Sequence, residues 1–180
     1  GGGMSAGRGA PAETAAIAKS LSDWPLSSAA YFAGVQKKLK DSIAYGQYSI
    51  FTNGYWGHPA YKLPPEVNLL GVAHYLQALV WQRDMIKIHT ILGGKNPHPN
   101  FLVGGMACAI NMNNDQAINQ FSLSYLKQLV QTCHDFIHKV YYPDIVAIAG
   151  FYKDYAHIGA SNPNFFCTGA PSEINAGAPA

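Results

Sequence analysis

The sequence predicts a mainly α protein, a bundle of long helices joined by extended loops that are rich in aromatic residues, glycine and proline. Apolar residues recur three and four positions apart over several long stretches, which is the spacing of one helix face. No alternating stretch longer than a few residues predicts a β-strand. The 18 glycines and 11 prolines interrupt the helical stretches, so the connections should be long loops.

Two helices are predicted before the first long loop. Pro11 should begin an alanine-rich helix that ends near Leu21, because proline is favoured in a first turn. Ser27 or Ser28 should cap the second helix, and Gly46 should end it. The apolar residues of this second helix recur at helical spacing: Phe32, Val35, Leu39 and Ile43.

The longest predicted helix begins at Pro65 and runs to about Leu92. At the usual rise per residue it would be roughly 40 Å long. It is apolar nearly all round until Arg83, which predicts burial on most of its sides. His74 and His89 lie among its apolar residues, and we interpret both as hydrogen-bonded core residues rather than ligands.

A further helix is predicted in the last third of the chain. Ser122 or Ser124 should cap it, and Pro143 should break or kink it before a shorter helix that runs through about Lys153. The helical spacing predicts that one stripe of this helix is buried, with these members: Leu126, Leu129, Val130, Cys133, Ile137 and Val140.

Composition limits the function classes. Charged residues make up only 12% of the chain and apolar residues 48%, whereas charged residues average about 25% in soluble domains. Much of the surface is therefore expected to be covered by other parts of a larger protein or by a partner. A net charge of +2, without a basic run interleaved with aromatic residues, argues against nucleic acid as a partner. No stretch of 18 apolar residues predicts a membrane span.

Residues 93–100 carry the most specific local signal: Gly-Gly-Lys-Asn-Pro-His-Pro-Asn. Two prolines bracket His98 and restrict the backbone on both sides of it, so the loop should be stiff. A stiff loop favours an imidazole that faces a ligand, a cofactor or another chain. Spacing alone favours the alternative of a merely packed histidine.

After residue 100 the chain continues as Phe-Leu-Val-Gly-Gly-Met. Residues 93–106 as a whole resemble the central part of nickel–iron hydrogenase large subunits. Three other strings resemble the same family: residues 51–59 (Phe-Thr-Asn-Gly-Tyr-Trp-Gly-His-Pro), 61–66 (Tyr-Lys-Leu-Pro-Pro-Glu) and 73–79 (Ala-His-Tyr-Leu-Gln-Ala-Leu). The resemblance runs from about Pro11 to about Gly159 and is closest to the membrane-associated, hydrogen-uptake branch.

The resemblance implies an enzyme that splits H2 at a buried nickel–iron centre carrying cyanide and carbon monoxide ligands. Electrons would leave through iron–sulfur clusters of a small partner subunit, and a membrane cytochrome b is a further implied partner at the periplasmic face. In that family the Pro-His-Pro loop approaches the small subunit, so His98 is expected beside its nearest cluster rather than as a metal ligand. A fixed imidazole N–H there can hydrogen-bond a cluster sulfur.

The sequence also departs from the family. Two Cys-x-x-Cys pairs bind the metals in that family, whereas none of Cys108, Cys133 and Cys167 stands in such a pair. We therefore assign no catalytic residue and no metal ligand in this chain, and expect it to be an internal, inactive fragment of a larger subunit. Residues 11–165 would be its central helical part, residues 1–10 a disordered or artificial end, and residues 166–180 an irregular tail.

Two alternatives from other classes remain open. One is a stand-alone helical binding module whose groove is formed by the aromatic loop at residues 47–64. The other is a zinc hydrolase using His134 and His138, since histidines four apart share a helix face and Asp135 stands where metalloproteases carry glutamate. Solvent-facing histidines are the favoured interpretation of that pair.

Overall fold

The computed structural model describes residues 5–46, 60–99, 115 and 118–164, and 71% of these residues are helical. No β-strand occurs within these ranges, which confirms the mainly α prediction. The elements in chain order are α1 (Pro11–Leu21), α2 (Ala29–Ala44), α3 (Pro65–Met85), α4 (Lys87–Gly93), α5 (Gln120–Phe136), a π-helix (Ile137–Tyr141), α6 (Tyr142–Phe151) and a short 3₁₀ helix (Lys153–Tyr155).

The predicted limits of the first two helices are confirmed. α1 spans Pro11–Leu21, with proline in its first turn. Ser28 caps α2, because its side chain accepts a hydrogen bond from the Tyr31 N–H at 3.2 Å. Gly46, with φ +70°, follows the end of α2 in the left-handed conformation that glycine adopts readily.

The core lies where α1, α2 and α3 meet. Thr14, completely buried on α1, donates its hydroxyl hydrogen bond to Ala10 O at 2.9 Å and lies 3.4 Å from Glu66 O on α3. Gly9 lies so close to α3 that a Cβ there would come within 2.7 Å of Pro65 O. The apolar side chains of this core are Ala6, Ala18, Phe32, Val35, Leu69, Leu70, Val72 and Ala73.

The long central helix differs from the prediction in two ways. It is interrupted at Ile86, which separates α3 from α4. Burial on most sides holds only for the first half of α3, because Leu79 and Val80 are 46% and 54% exposed. α1 and α2 cover the amino-terminal half of α3, and the described helices leave much of the carboxyl-terminal half open to solvent.

The structure corrects the predicted cap of α5. Asn119, not Ser122 or Ser124, is the cap. Its side-chain oxygen accepts from the Ser122 N–H at 2.9 Å, and the Ser122 hydroxyl in turn accepts from the Asn119 N–H at 3.0 Å. This reciprocal pair is a capping box, so Ser122 takes part from the third helical position rather than as the cap.

The buried stripe of α5 and the π-helix is also rotated from the prediction. Leu129 and Val140 are buried as expected, but Val130 and Ile137 are exposed. Phe136, absent from the predicted stripe, is buried because its ring stacks on Trp81 of α3, with centroids 5.2 Å apart. The contact with α3 therefore decides which side of this helix faces inward.

The regular α-helix is interrupted just before Pro143, in line with the predicted break or kink: α5 ends at Phe136, the π-helix follows, and the shorter α6 ends at Phe151 rather than at about Lys153. The Tyr142 N–H donates to Ile137 O, five residues back, so one π turn carries the helix through to Pro143. Proline has no N–H to offer the carbonyl of Lys139 four residues earlier. Ser22, just after α1, donates its hydroxyl hydrogen bond to Lys139 O instead.

Several predictions lie outside the described residues or are untested. The aromatic segment at residues 47–59 and the chain ends at 1–4 and 165–180 are not described. The domain limits at 10 and 165 stay predictions, and residues 5–10 of the expected disordered end pack on the helices, with Ala6 completely buried. Of the helices in the described ranges, none has both the length and the hydropathy that a membrane span requires.

Ser22→Ala should reduce the free energy of unfolding by about 1 kcal/mol, the usual contribution of one hydrogen bond. The loss would come from the Lys139 carbonyl, which Pro143 cannot satisfy. Urea unfolding followed by circular dichroism measures it. Ser20→Ala is the matched control, because Ser20 is exposed and bonds only Ile17 O of its own helix. Equal losses in the two variants would contradict this role of Ser22.

Candidate functional site

The loop that contains His98 begins where α4 ends. Gly94 closes α4 with φ +79°, and its N–H donates to Thr90 O. His98 is exposed and has φ +59°, an uncommon value for a residue other than glycine. Backbone strain of this kind is concentrated at functional sites, where the surrounding structure maintains it. The geometry therefore presents the His98 imidazole outward from a constrained backbone.

His89 ties the same loop to α4. Its Nδ1 lies 2.9 Å from the Asn96 side-chain oxygen, and since that oxygen only accepts, the histidine donates. His89 is nevertheless exposed, so the prediction of a core residue is wrong for it. The physical reason is that the described helices do not cover this end of the α3–α4 segment.

His74 is the buried histidine, and the prediction of a hydrogen-bonded core residue is confirmed for it. Its Nδ1 lies 2.6 Å from Asp144 Oδ2, and its Nε2 lies 2.9 Å from Ser27 Oγ. The side chains of His74 and Asp144 are only 7% and 13% exposed. A carboxylate only accepts, so Nδ1 donates to Asp144. In the neutral imidazole, Nε2 accepts from the Ser27 hydroxyl.

This Ser27–His74–Asp144 network has the hydrogen-bond order of a nucleophilic triad. Its surroundings support a structural role. The Ser27 N–H is used in a turn with Trp24 O, and the His74 ring packs against Phe32. The three residues belong to the α1–α2 connection, α3 and α6, so the network holds three separate parts of the chain together.

An apolar cavity of about 420 Å³ lies between the α1–α2 connection, α3 and α5. Trp24 and Trp81 line it, and the Trp24 Nε1–H donates to Gln77 Oε1 at 2.8 Å. The other lining residues are Leu26, Tyr31, Leu76, Gln77, Val80, Asp84, Thr132 and Phe136. Neither Ser27 nor His74 lines this cavity.

Asp84 is the charged residue among the described residues that line the cavity. A hydrogen bond from the Lys87 ammonium at 2.8 Å lowers the pKa of the Asp84 carboxyl, and Coulombic attraction to Lys87 and Arg83 adds to the shift. The hydrogen bond to Asp84 in turn raises the pKa of the Lys87 ammonium group. Both charges are thus maintained near neutral pH, at the junction of α3 and α4.

His134 and His138 lie on the exposed side of the last helix, which confirms the solvent-facing interpretation. Their ring centroids are 4.2 Å apart. Catalytic zinc sites use three protein ligands. Within the described ranges no three His, Cys, Asp or Glu side chains are grouped closely enough to hold a metal ion.

A model of the nickel-dependent hydrogenase family matches residues 3–178. This chain belongs to that family. It is 52% identical over 152 residues to the uptake hydrogenase large subunit of Rhizobium leguminosarum bv. viciae and 51% identical over 152 residues to the hydrogenase-1 large chain of Escherichia coli strain K12. In both comparisons the match covers 83% of this chain and 26% of the relative.

The family match confirms the resemblance seen in the Pro-His-Pro segment and the neighbouring strings. A third relative, the uptake hydrogenase large subunit of Rhodobacter capsulatus, is 45% identical over 161 residues. The chain thus spans about a quarter of the length of these curated relatives.

Sequence reasoning missed the two partners of His74. Ser27 and Asp144 lie 47 and 70 residues away from it in the chain. Ser27 could be recognised only as a possible helix cap, and Asp144 only as an acid after Pro143 in a first helical turn. Neither signal points to His74.

Asp144→Ala should lower the free energy of unfolding by about 1–3 kcal/mol, because it leaves the buried His74 N–H without an acceptor. Asp144→Asn should lower the free energy of unfolding by less, since an amide oxygen can still accept a hydrogen bond from Nδ1. Urea unfolding of the two variants beside Asp23→Ala, an exposed control, tests this. If Asp144→Ala is no more destabilising than the control, the network does not stabilise the fold.

Proposed function

We propose that this chain forms part of the large subunit of a nickel–iron hydrogenase that oxidises H2 reversibly to protons and electrons. The family match over residues 3–178 supports this proposal most strongly. The names of the relatives, uptake hydrogenase large subunits and a hydrogenase-1 large chain, support it further.

The proposed contribution of this chain is scaffolding and contact with a partner rather than metal binding. Cys133 is the only cysteine in the described ranges and is a half-buried free thiol. The described residues therefore do not fit a nickel–iron centre. We propose that residues outside this chain hold that centre, with its cyanide and carbon monoxide ligands.

The His98 loop is the proposed contact with a hydrogenase small subunit. Its imidazole is exposed, its backbone is constrained at φ +59°, and the neighbouring Asn96 is anchored to His89. These features suit a side chain that donates one hydrogen bond to a group on another chain. We propose a sulfur of the nearest iron–sulfur cluster as the acceptor, so that His98 tunes electron transfer.

The small subunit would pass electrons onward to a membrane cytochrome b at the periplasmic face of the membrane. This part of the proposal follows from the likeness to membrane-associated uptake enzymes. It requires no membrane span in the helices described here.

The test of the proposed function is expression of the complete gene together with its small-subunit gene. The purified complex should contain nickel by elemental analysis and reduce an artificial electron acceptor under H2. The 180-residue chain by itself should show no H2 uptake. A folded complex that has neither nickel nor H2-dependent reduction would reject the proposal.

His98→Ala in that complex should leave the nickel content unchanged, because His98 is not proposed as a ligand. It should shift the potential of the nearest cluster or slow electron exit. The loss of rate should fall within about 10- to 100-fold, the usual cost of losing a partner that hydrogen-bonds a metal group. Redox titration with spectroscopy and an H2-uptake assay measure the two effects.

His157→Ala is the matched control for His98→Ala, since His157 is also exposed but lies outside the Pro-His-Pro loop. It should alter neither potential nor turnover. The proposed role of His98 is wrong if His98→Ala loses nickel, or if it matches the control in both measurements.

The alternatives gain no specific support. The aromatic segment that would form the groove of a binding module lies mostly outside the described residues. For a zinc hydrolase, His134 and His138 have no third protein ligand grouped with them in the described part of the chain.

A further inference from the structure

The exposed pair His134 and His138 has a geometry that a metal ion can use. We propose that the two imidazoles chelate one divalent late first-row transition metal ion, such as nickel, copper or zinc, with water completing its coordination. This is a non-catalytic binding site, and it does not depend on the proposed hydrogenase function.

The first argument is distance. The ring centroids of His134 and His138 are 4.2 Å apart, with the ring planes tilted by 34°. A zinc ion with both nitrogens at 2.0–2.1 Å in tetrahedral geometry needs them about 3.4 Å apart. Because a ring nitrogen lies off the centroid, rotation of the two side chains can bring one nitrogen of each ring toward that separation.

The second argument is the local helix geometry. His134 lies in the last turn of α5, and His138 lies within the π turn. Residues four apart lie on one helix face, and the structure places both rings on the exposed side. The His134 side chain is 60% exposed. In the 180-residue chain a hydrated ion can therefore approach both rings without displacing the core.

The third argument is an orienting carboxylate. His134 Nδ1 lies 3.5 Å from Asp135 Oδ1, and Gln131 Nε2 holds that same oxygen at 2.9 Å. Histidines that bind metals usually direct their other ring N–H to a carboxylate or carbonyl group. A rotation of the His134 ring that brings Nδ1 within hydrogen-bond distance of Asp135 would keep the proton on Nδ1 and leave Nε2 to bind the metal.

Ligand chemistry then selects the kind of ion. Neutral imidazole suits zinc, copper and nickel, whereas calcium and magnesium require several oxygen ligands. Two protein ligands leave open positions for water, so the ion should exchange readily. Because one ligand lies on α5 and the other on the π-helix, a bound ion should also stabilise the helix against unwinding where the two segments join.

The test is titration of the 180-residue chain with Zn²⁺ and with Cu²⁺, followed by isothermal calorimetry and by electron paramagnetic resonance for copper. The wild-type chain should bind one ion in this site, with nitrogen hyperfine coupling from two imidazoles. His134→Gln and His138→Gln should each weaken binding by at least about 10-fold, because even an outer partner commonly contributes that much. Ca²⁺ should not compete.

Asp135→Asn should weaken binding less than loss of either histidine, as expected for a positioning residue. His157→Ala, which removes an exposed histidine elsewhere, should leave the affinity unchanged. Circular dichroism of every variant verifies that the helices remain folded. The proposal is overturned if the wild type binds no ion, if the histidine variants bind as tightly as the wild type, or if the copper spectrum shows thiolate rather than imidazole ligation.

Discussion

The arrangement of the described helices depends above all on the buried hydrogen bond between His74 and Asp144. At 2.6 Å it joins α3 to the first turn of α6, and the other nitrogen of the same ring reaches Ser27 in the α1–α2 connection. A buried polar group without a partner is costly, so these groups strongly favour one arrangement of the three segments. Apolar contacts alone would allow α6 to slide or rotate more easily.

A second hydrogen bond, at the π-helix that precedes α6, supports the same arrangement. Pro143 removes a donor from the last helix, the π turn carries the backbone past it, and Ser22 satisfies the carbonyl of Lys139. Asp144 follows Pro143 directly, so the helix irregularity and this largely buried acid lie next to each other in the chain. Two contacts therefore position Asp144 against His74: its own hydrogen bond to α3, and the hydrogen bond from Ser22 at the end of α1 to Lys139.

Several apolar side chains are exposed on α3 and α5, as expected for a chain that is shorter than its relatives. Leu79 and Val80 on α3, and Val130 on α5, are about half exposed. Soluble proteins rarely leave several such residues open on neighbouring helices without a function for the surface. Since the chain spans about a quarter of its curated relatives, we propose that other parts of a large subunit cover these faces. The low content of charged residues, 12%, points in the same direction.

Sequence by itself determined the family, the helical class and most helix ends. Pro11, Ser28 and Gly94 act through local rules of proline geometry, capping and left-handed glycine, and those rules operate within a few residues. The start of α5 shows the limit of such rules, because Asn119 and Ser122 are reciprocal partners in one capping box and either could be taken for the cap. Tertiary structure alone decided which faces are buried, as Phe136 and Val130 illustrate, and which distant residues satisfy His74. Burial and long-range hydrogen bonds depend on how helices pack, and residues 70 positions apart leave no local pattern that could reveal their contact.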